Sequence, residues 1–282
     1  MREKIDLRIS EKRAREWLPE DRGTVIGSGI IRQLVVDVDD PILGLVADAE
    51  AHYSSNGRSF FYGWNFRREY SKAELEAAEV FQAIFHPVEM AGEEYGTRYD
   101  EAASCPICAS GAAQASELVL ECKRLPKSKD LCRTLAHEIV VSTRALEVFQ
   151  RYQISGIEFE PVKCSPSNTQ SDQWMQMIVL RHDAHLVSPI VAGEKPFEDP
   201  RGEESQQYRC PLGHRLGLNL ISEAYVERAS WGGEDIVLSR EYFGARMGLL
   251  RPHRLVLVSQ KVRKAIEKEK LRGVAFEIAH LV

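Results

Sequence analysis

Ile139-Val140-Val141-Ser142, then a helical stretch, then Gly156-Ile157-Glu158-Phe159-Glu160, is one of two passages on which the expected fold turns. The other is Val256-Leu257-Val258-Ser259, a helical stretch, and Gly273-Val274-Ala275-Phe276-Glu277. The two register without a gap. Ala145, Val148 and Phe149 fall opposite Val262, Ala265 and Ile266, at the i, i+3, i+4 spacing that gives each helix one apolar stripe. Each serine stands at an N-cap position, where its hydroxyl can accept from a free backbone amide. Each glycine stands where a helix commonly ends, because it adopts positive φ without steric cost. After it, Ile157 and Phe159, then Val274 and Phe276, alternate with polar residues as in half-buried strands. The expected fold class is α+β, a mixed α/β chain with two repeated strand–helix–strand units. Parallel pairing within each unit would make it a right-handed βαβ crossover.

Upstream, Ser10 to Leu18 suits a short charged helix, and Ile30 to Val38 a strand. The aromatic run Phe60-Phe61-Tyr62-Gly63-Trp64 suits a strand or hairpin packed on a core. Ser71 and Glu74 have capping-box spacing, and Ala77, Val80, Phe81 and Ile84 follow at helical spacing, so a helix is expected to run to Pro87. Between the units, Met175 to Leu180 reads as a strand, and Pro189, Gly193, Pro196, Pro200 and Gly202 read as an exposed loop. The expected organisation is an N-terminal α/β region at 1–95, a first repeat at 96–165, a linker or insertion at 166–209 and a second repeat at 210–282.

The chain has 282 residues, 44% of them hydrophobic, enough for one large core or two modest ones. A formal net charge of −5 does not suggest a nucleic-acid binder. No run is long enough to cross a bilayer, and Met1 to Arg8 lacks the apolar stretch of a secretory signal. A cytoplasmic location is therefore expected, with the six cysteines as thiols or metal ligands rather than a disulfide framework.

Cys105-Pro106-Ile107-Cys108 is a CxxC knuckle, in which two thiolates can grip one ion. Cys210-Pro211-Leu212-Gly213-His214 also begins Cys-Pro and offers an imidazole four residues on. Each motif precedes its strand–helix–strand unit. Cys105, Cys108, Cys210 and His214 together make a closed tetrahedral set suited to structural zinc, joining the two halves with no position open for catalysis. A redox pair or two buried thiols is the simpler reading of the first motif. Cys122 and Cys132 are the nearest substitute ligands, but their spacing resembles no knuckle and they read as ordinary buried thiols.

On these two motifs and the two Val-Ser-helix-Gly-aromatic units, the chain from about Tyr95 to Val282 resembles the double-CXXCG motif proteins, a paralogous set prominent in myxobacteria. Ala109 stands where that family has Gly, and the second motif lacks its second cysteine. The resemblance implies a non-catalytic protein-binding role, with an immunity factor that neutralises a cognate bacterial toxin as the leading case.

The alternative is a zinc-containing nucleic-acid-associated or regulatory protein. From Ser239 to Arg272 there are ten Lys/Arg against three Glu, a basic stretch in an otherwise acidic chain. A solvated helix face is the plainer account of that stretch. An enzyme would draw on His182, Asp183 and His185, which can bind a divalent ion or relay a proton. HExxH, GxSxG, Walker-type and GxGxxG motifs are absent, and no catalytic residue is assigned. Glu234 and Asp235 read as turn residues after Gly232-Gly233, and Glu158 and Glu277 as water-facing strand positions.

Overall fold

A computed structural model describes residues 1–193, 196–197, 210–212, 214, 219–244 and 246–282. The protein is mixed α+β, as expected. It divides into two compact units, the first made of Met1–Ala77 together with the short segment at 196–197. Most of the loop expected between Pro189 and Gly202 lies outside the described residues.

The first unit is a four-stranded antiparallel sheet with helices. Its elements are β1 (Arg2–Ser10), α1 (Glu11–Trp17), β2 (Thr24–Ile26), β3 (Ile31–Asp37), α2 (Ile42–Ser54), β4 (Phe61–Glu69) and α3 (Lys72–Ala77). The strand order is β2-β3-β1-β4. Ile5, Leu7 and Ile9 alternate along β1 and meet Val46 and Ala49 of α2 in the core, with Phe60 beside them. The expected helix at Ser10–Leu18 and strands at Ile30–Val38 and Phe60–Phe66 are present.

The expected helix from Ser71 to Pro87 is not. Ser71 and Glu74 do form a capping box, with Glu74 N–H donating to Ser71 Oγ at 3.2 Å and Ser71 N–H to Glu74 Oε2 at 2.7 Å. The helix nevertheless stops at Ala77, and Val80–Pro87 is strand β5 of the second unit. Phe81, Ala83 and Phe85 are buried on one face of β5, alternating with half-buried Gln82 and exposed Ile84, and β17 and β18 pair on either side of it. Such dense apolar runs satisfy helical and strand spacing alike, and the neighbouring strands decide between them.

The second unit continues with β6 (Tyr99–Asp100), β7 (Ala113–Gln114), β8 (Val119–Leu120), β9 (Leu131–Arg133), β10 (Ile139–Ser142), α4 (Thr143–Arg151), β11 (Ile157–Cys164) and β12 (Thr169–Val179). After these come β13 (Ala192–Gly193), β14 (Asn219–Leu220), β15 (Ala224–Val226), β16 (Ile236–Phe243), β17 (His253–Ser259), α5 (Gln260–Lys268) and β18 (Val274–Leu281).

The two expected strand–helix–strand units are β10–α4–β11 and β17–α5–β18. Their strands do not pair directly, as a βαβ crossover would require. β12 lies antiparallel between β10 and β11, and β5 lies antiparallel between β17 and β18. So β12, expected as part of a linker, is a central strand. The outer edges match as well: β8 pairs parallel with β11, and β15 parallel with β18.

The helices bury Ala145, Val148 and Phe149, and Val262, Ala265 and Ile266, as their stripes require. Ser142 caps α4, accepting from Ala145 N–H at 3.1 Å. Ser259 caps nothing and instead donates to Asp235 Oδ1 at 2.8 Å.

The glycines do not end the helices either. Gln153 and Lys270 take the left-handed turn, at φ of 50° and 54°, with Ile154 and Leu271 N–H donating back to Phe149 and Ile266 carbonyls at 2.9 and 3.0 Å. Gly156 and Gly273 serve close packing. A Cβ on Gly156 would lie 2.2 Å from the Ile236 carbonyl oxygen, and one on Gly273 2.1 Å from that of Leu131.

Asp130 and Asp235 hold these approaches. Asp130 accepts from the Ser142 hydroxyl at 3.0 Å and from Arg272 N–H at 2.9 Å. Asp235 accepts from the Ser259 hydroxyl and from Ser155 N–H at 3.0 Å, with Lys261 Nζ at 2.8 Å. Each aspartate thus ties the serine of its own segment to the residue before the other segment's glycine. Asp235 is a buried hub rather than the turn residue expected.

The reading of all six cysteines as thiols or ligands is also corrected, because Cys122 and Cys164 form a disulfide, with Cα atoms 5.3 Å apart. Cys164 pairs with Leu120 across the β8–β11 ladder, which brings Cys122 within bridging distance. Cys132 is a fully buried thiol, pushed up to about 11 by burial.

Candidate metal centre

The first knuckle is a tight loop spanned by the β6–β7 pair, in which Tyr99 faces Gln114 and Asp100 faces Ala113. Cys105 N–H donates to the Ser110 carbonyl, and Ala109 N–H to the Cys105 carbonyl, both at 2.8 Å. The loop turns through Ala109 at φ of 55°, a conformation that suits glycine better than any residue with a Cβ. In the second motif Cys210 N–H donates to the His214 carbonyl at 3.0 Å. Gly213 lies outside the described residues.

The fold brings all four expected ligands together. The donor atoms of Cys105, Cys108, Cys210 and His214 lie within 4.8 Å of one another. Cys105 Sγ is 3.6 Å from Cys210 Sγ, and Cys108 Sγ is 3.4 Å from His214 Nδ1. A tetrahedral zinc with Zn–S bonds of about 2.3 Å and a Zn–N bond of about 2.0 Å sets neighbouring sulfurs about 3.8 Å apart, and sulfur and nitrogen about 3.5 Å apart. Both contacts therefore connect atoms from different motifs at the spacing one ion would impose.

The electrostatics suit a cation. The Cys108 and Ile107 amides point at the Cys105 sulfur and hold its thiol down at about 6. Burial shifts Cys210 the other way, and the adjoining sulfurs add to that rise. A cation between them would replace the shared proton.

The three candidate catalytic residues do not converge. Asp183 is paired with Arg181 Nε at 2.6 Å, which lowers its carboxyl below the usual range. His185 Nδ1 meets buried Glu241 at 2.6 Å, while His182 is exposed. The basic stretch is largely engaged within the fold. Arg263 is buried and bonded to Glu267 at 2.7 Å, Lys261 meets Asp235, and Arg251 meets Glu93 at 2.9 Å and Glu101 at 2.7 Å. Reversing the charge of Arg263 would therefore disturb the core, not a solvated face. Glu158 is exposed as expected, whereas Glu277 is half-buried.

Among the described residues no helix is long and apolar enough to cross a membrane. The chain matches no protein-family model and no curated protein.

Proposed function

We propose that the chain is a non-catalytic protein-binding protein, an immunity factor that neutralises a cognate bacterial toxin, on a scaffold of two repeated units pinned by structural zinc. The observation that carries the reading is the donor set itself. Four protein ligands from two distant motifs fill every position of a tetrahedral ion and leave none for substrate or water. Such an ion fixes architecture and performs no chemistry.

The duplication is supported by element order and by reciprocal pairing. β5–knuckle–β8–β9–β10–α4–β11 is followed by β12–knuckle–β15–β16–β17–α5–β18. Each series lends its first strand to the middle of the other. The toxin-neutralising role rests on the resemblance to the double-CXXCG proteins, and the turn at Ala109 accounts physically for the glycine which that family keeps there. The engagement of Arg251, Lys261 and Arg263 within the fold weighs against the nucleic-acid alternative. A cytoplasmic location belongs to the same reading, and the Cys122–Cys164 bridge weighs against it, because reducing compartments keep such pairs open.

The test is co-expression with the protein encoded beside its gene, followed by purification of the complex and a growth assay. A stoichiometric complex and suppressed toxicity are expected. A zinc-loaded chain that neither binds that protein nor restores growth would overturn the role while leaving the scaffold intact.

A further inference from the structure

The second unit contains a cavity of about 290 Å³ between β9, β10 and β12 on one side and β16 and β17 on the other. Ile139, Met177, Val179, Leu238 and Val256 make an apolar wall, and Tyr99 and Tyr242 add rings. Arg133 and Arg254 share this lining with the rings of His137, His182 and His253 and the amides of Gln114 and Gln176.

Their charges are not balanced. Among the described residues the fully buried arginines each meet a carboxylate: Arg32 meets Glu11 at 2.7 Å, Arg251 meets Glu93 and Glu101, and Arg263 meets Glu267. Arg133 has neither an ion pair nor a side-chain hydrogen bond among the described residues, and burial by itself lowers its guanidinium to about 10. Arg254 stacks over Tyr242 at 4.4 Å and gives its donors to the carbonyls of His182 and Ser239, again with no carboxylate among the described residues.

His137 and His253 stack with centroids 4.1 Å apart, and burial together with Arg133 holds both rings neutral. His137 Nδ1 is buried without a partner among the described residues, and its backbone is held at φ of 71°. The one acid in the lining, Glu138, is taken by the hydroxyls of Tyr99 and Thr134. Arg133 and Arg254 are both half-buried, and a guanidinium drawn partly out of water with no counter-charge is a ready partner for an anionic ligand.

We propose that this cavity binds a small organic anion, a carboxylate or phosphate monoester on a flat apolar body, with its charged end against Arg133 and Arg254. The guanidinium fork matches two oxygens of either group. The aliphatic wall and tyrosine rings suit a flat body, and the volume admits a molecule about the size of benzoate. The lining contains none of the four candidate metal ligands, although Tyr99 and Gln114 of the strand pair that spans the first knuckle belong to it, and the site stands whether or not the toxin-binding role does.

The test uses the full zinc-loaded chain, with benzoate and phenyl phosphate as probes and benzyl alcohol as the neutral control, followed by ligand-observed NMR and calorimetry. Saturable one-site binding of an anionic probe is expected, with affinity falling roughly tenfold or more in Arg133→Met, as for loss of a charged hydrogen-bond partner. Binding of benzoate alone assigns a carboxylate, and binding of phenyl phosphate alone a phosphate monoester. Should Arg133→Met not fold, Arg133→Lys keeps the buried cation without the fork and is expected to weaken binding several-fold. The proposal is overturned if neither anion binds, if benzyl alcohol binds as well as they do, or if the Arg133 variants bind unchanged.

Discussion

Cys210→Ser combined with His214→Ala removes both ligands of the second motif, and so cuts the connection between the two knuckles while leaving the local Cys105–Cys108 pair in place. Cys105 and Cys210 are 105 positions apart, so an ion held by both closes a loop of that length. The chain-entropy model gives a closure of about 100 residues a stabilisation of about 4.7 kcal/mol. The CxxC pair can still hold metal in the unfolded chain, which offsets part of that stabilisation. The zinc-loaded variant is therefore expected to lose about 4 kcal/mol relative to zinc-loaded wild type. The assay is urea unfolding near neutral pH, followed by far-UV circular dichroism, with chelated wild type as a third trace. Chelation should bring wild type to the midpoint of the variant. Zinc-loaded proteins that agree within about 0.5 kcal/mol, the range of ordinary surface substitutions, would refute the closure argument.

Glu138 gives a pH signature. Burial raises its carboxyl from 4.5 to about 7, so the native state keeps a proton that the unfolded chain releases. Stability should fall by about 3 kcal/mol as pH rises from about 4.5 to about 7, and Glu138→Gln should flatten that window in a pH series of urea midpoints. An unaltered slope would assign the dependence elsewhere. Gly273→Ala is expected to cost about 3 kcal/mol or more, since its Cβ would meet the Leu131 carbonyl at a φ of 100°, whereas Gly44→Ala in α2, with open space around it, should be neutral or stabilising in the same thermal melt. Thiol titration of denatured, chelated protein prepared without reductant should find four free thiols, because Cys122 and Cys164 are bridged. Removing that bridge with Cys122→Ser closes off a constraint over 42 residues and should cost roughly 4 kcal/mol, read from the shift in melting temperature.

Parts of the fold with local signals were legible in the residues alone. The stripes of α4 and α5, the strands that flank them and the two short motifs that carry the four candidate ligands all follow from residue type at short spacing. The ligand set was legible because each motif is a few residues long and only their meeting required the fold. Folding settled what depends on partners remote in the chain. It made Val80–Pro87 a strand, because β17 and β18 stand on either side of it, and it placed β12 between β10 and β11. It turned Gly156 and Gly273 from helix ends into points of close approach, paired Cys122 with Cys164, and made hubs of Asp130 and Asp235. It also gathered Arg133, His137, His253 and Arg254 around one cavity, though nothing in their spacing relates them. Periodicity records which face of an element is buried, but the identity of what covers that face is set by strand pairing between distant segments, where each backbone amide and each buried charge must find its partner in three dimensions.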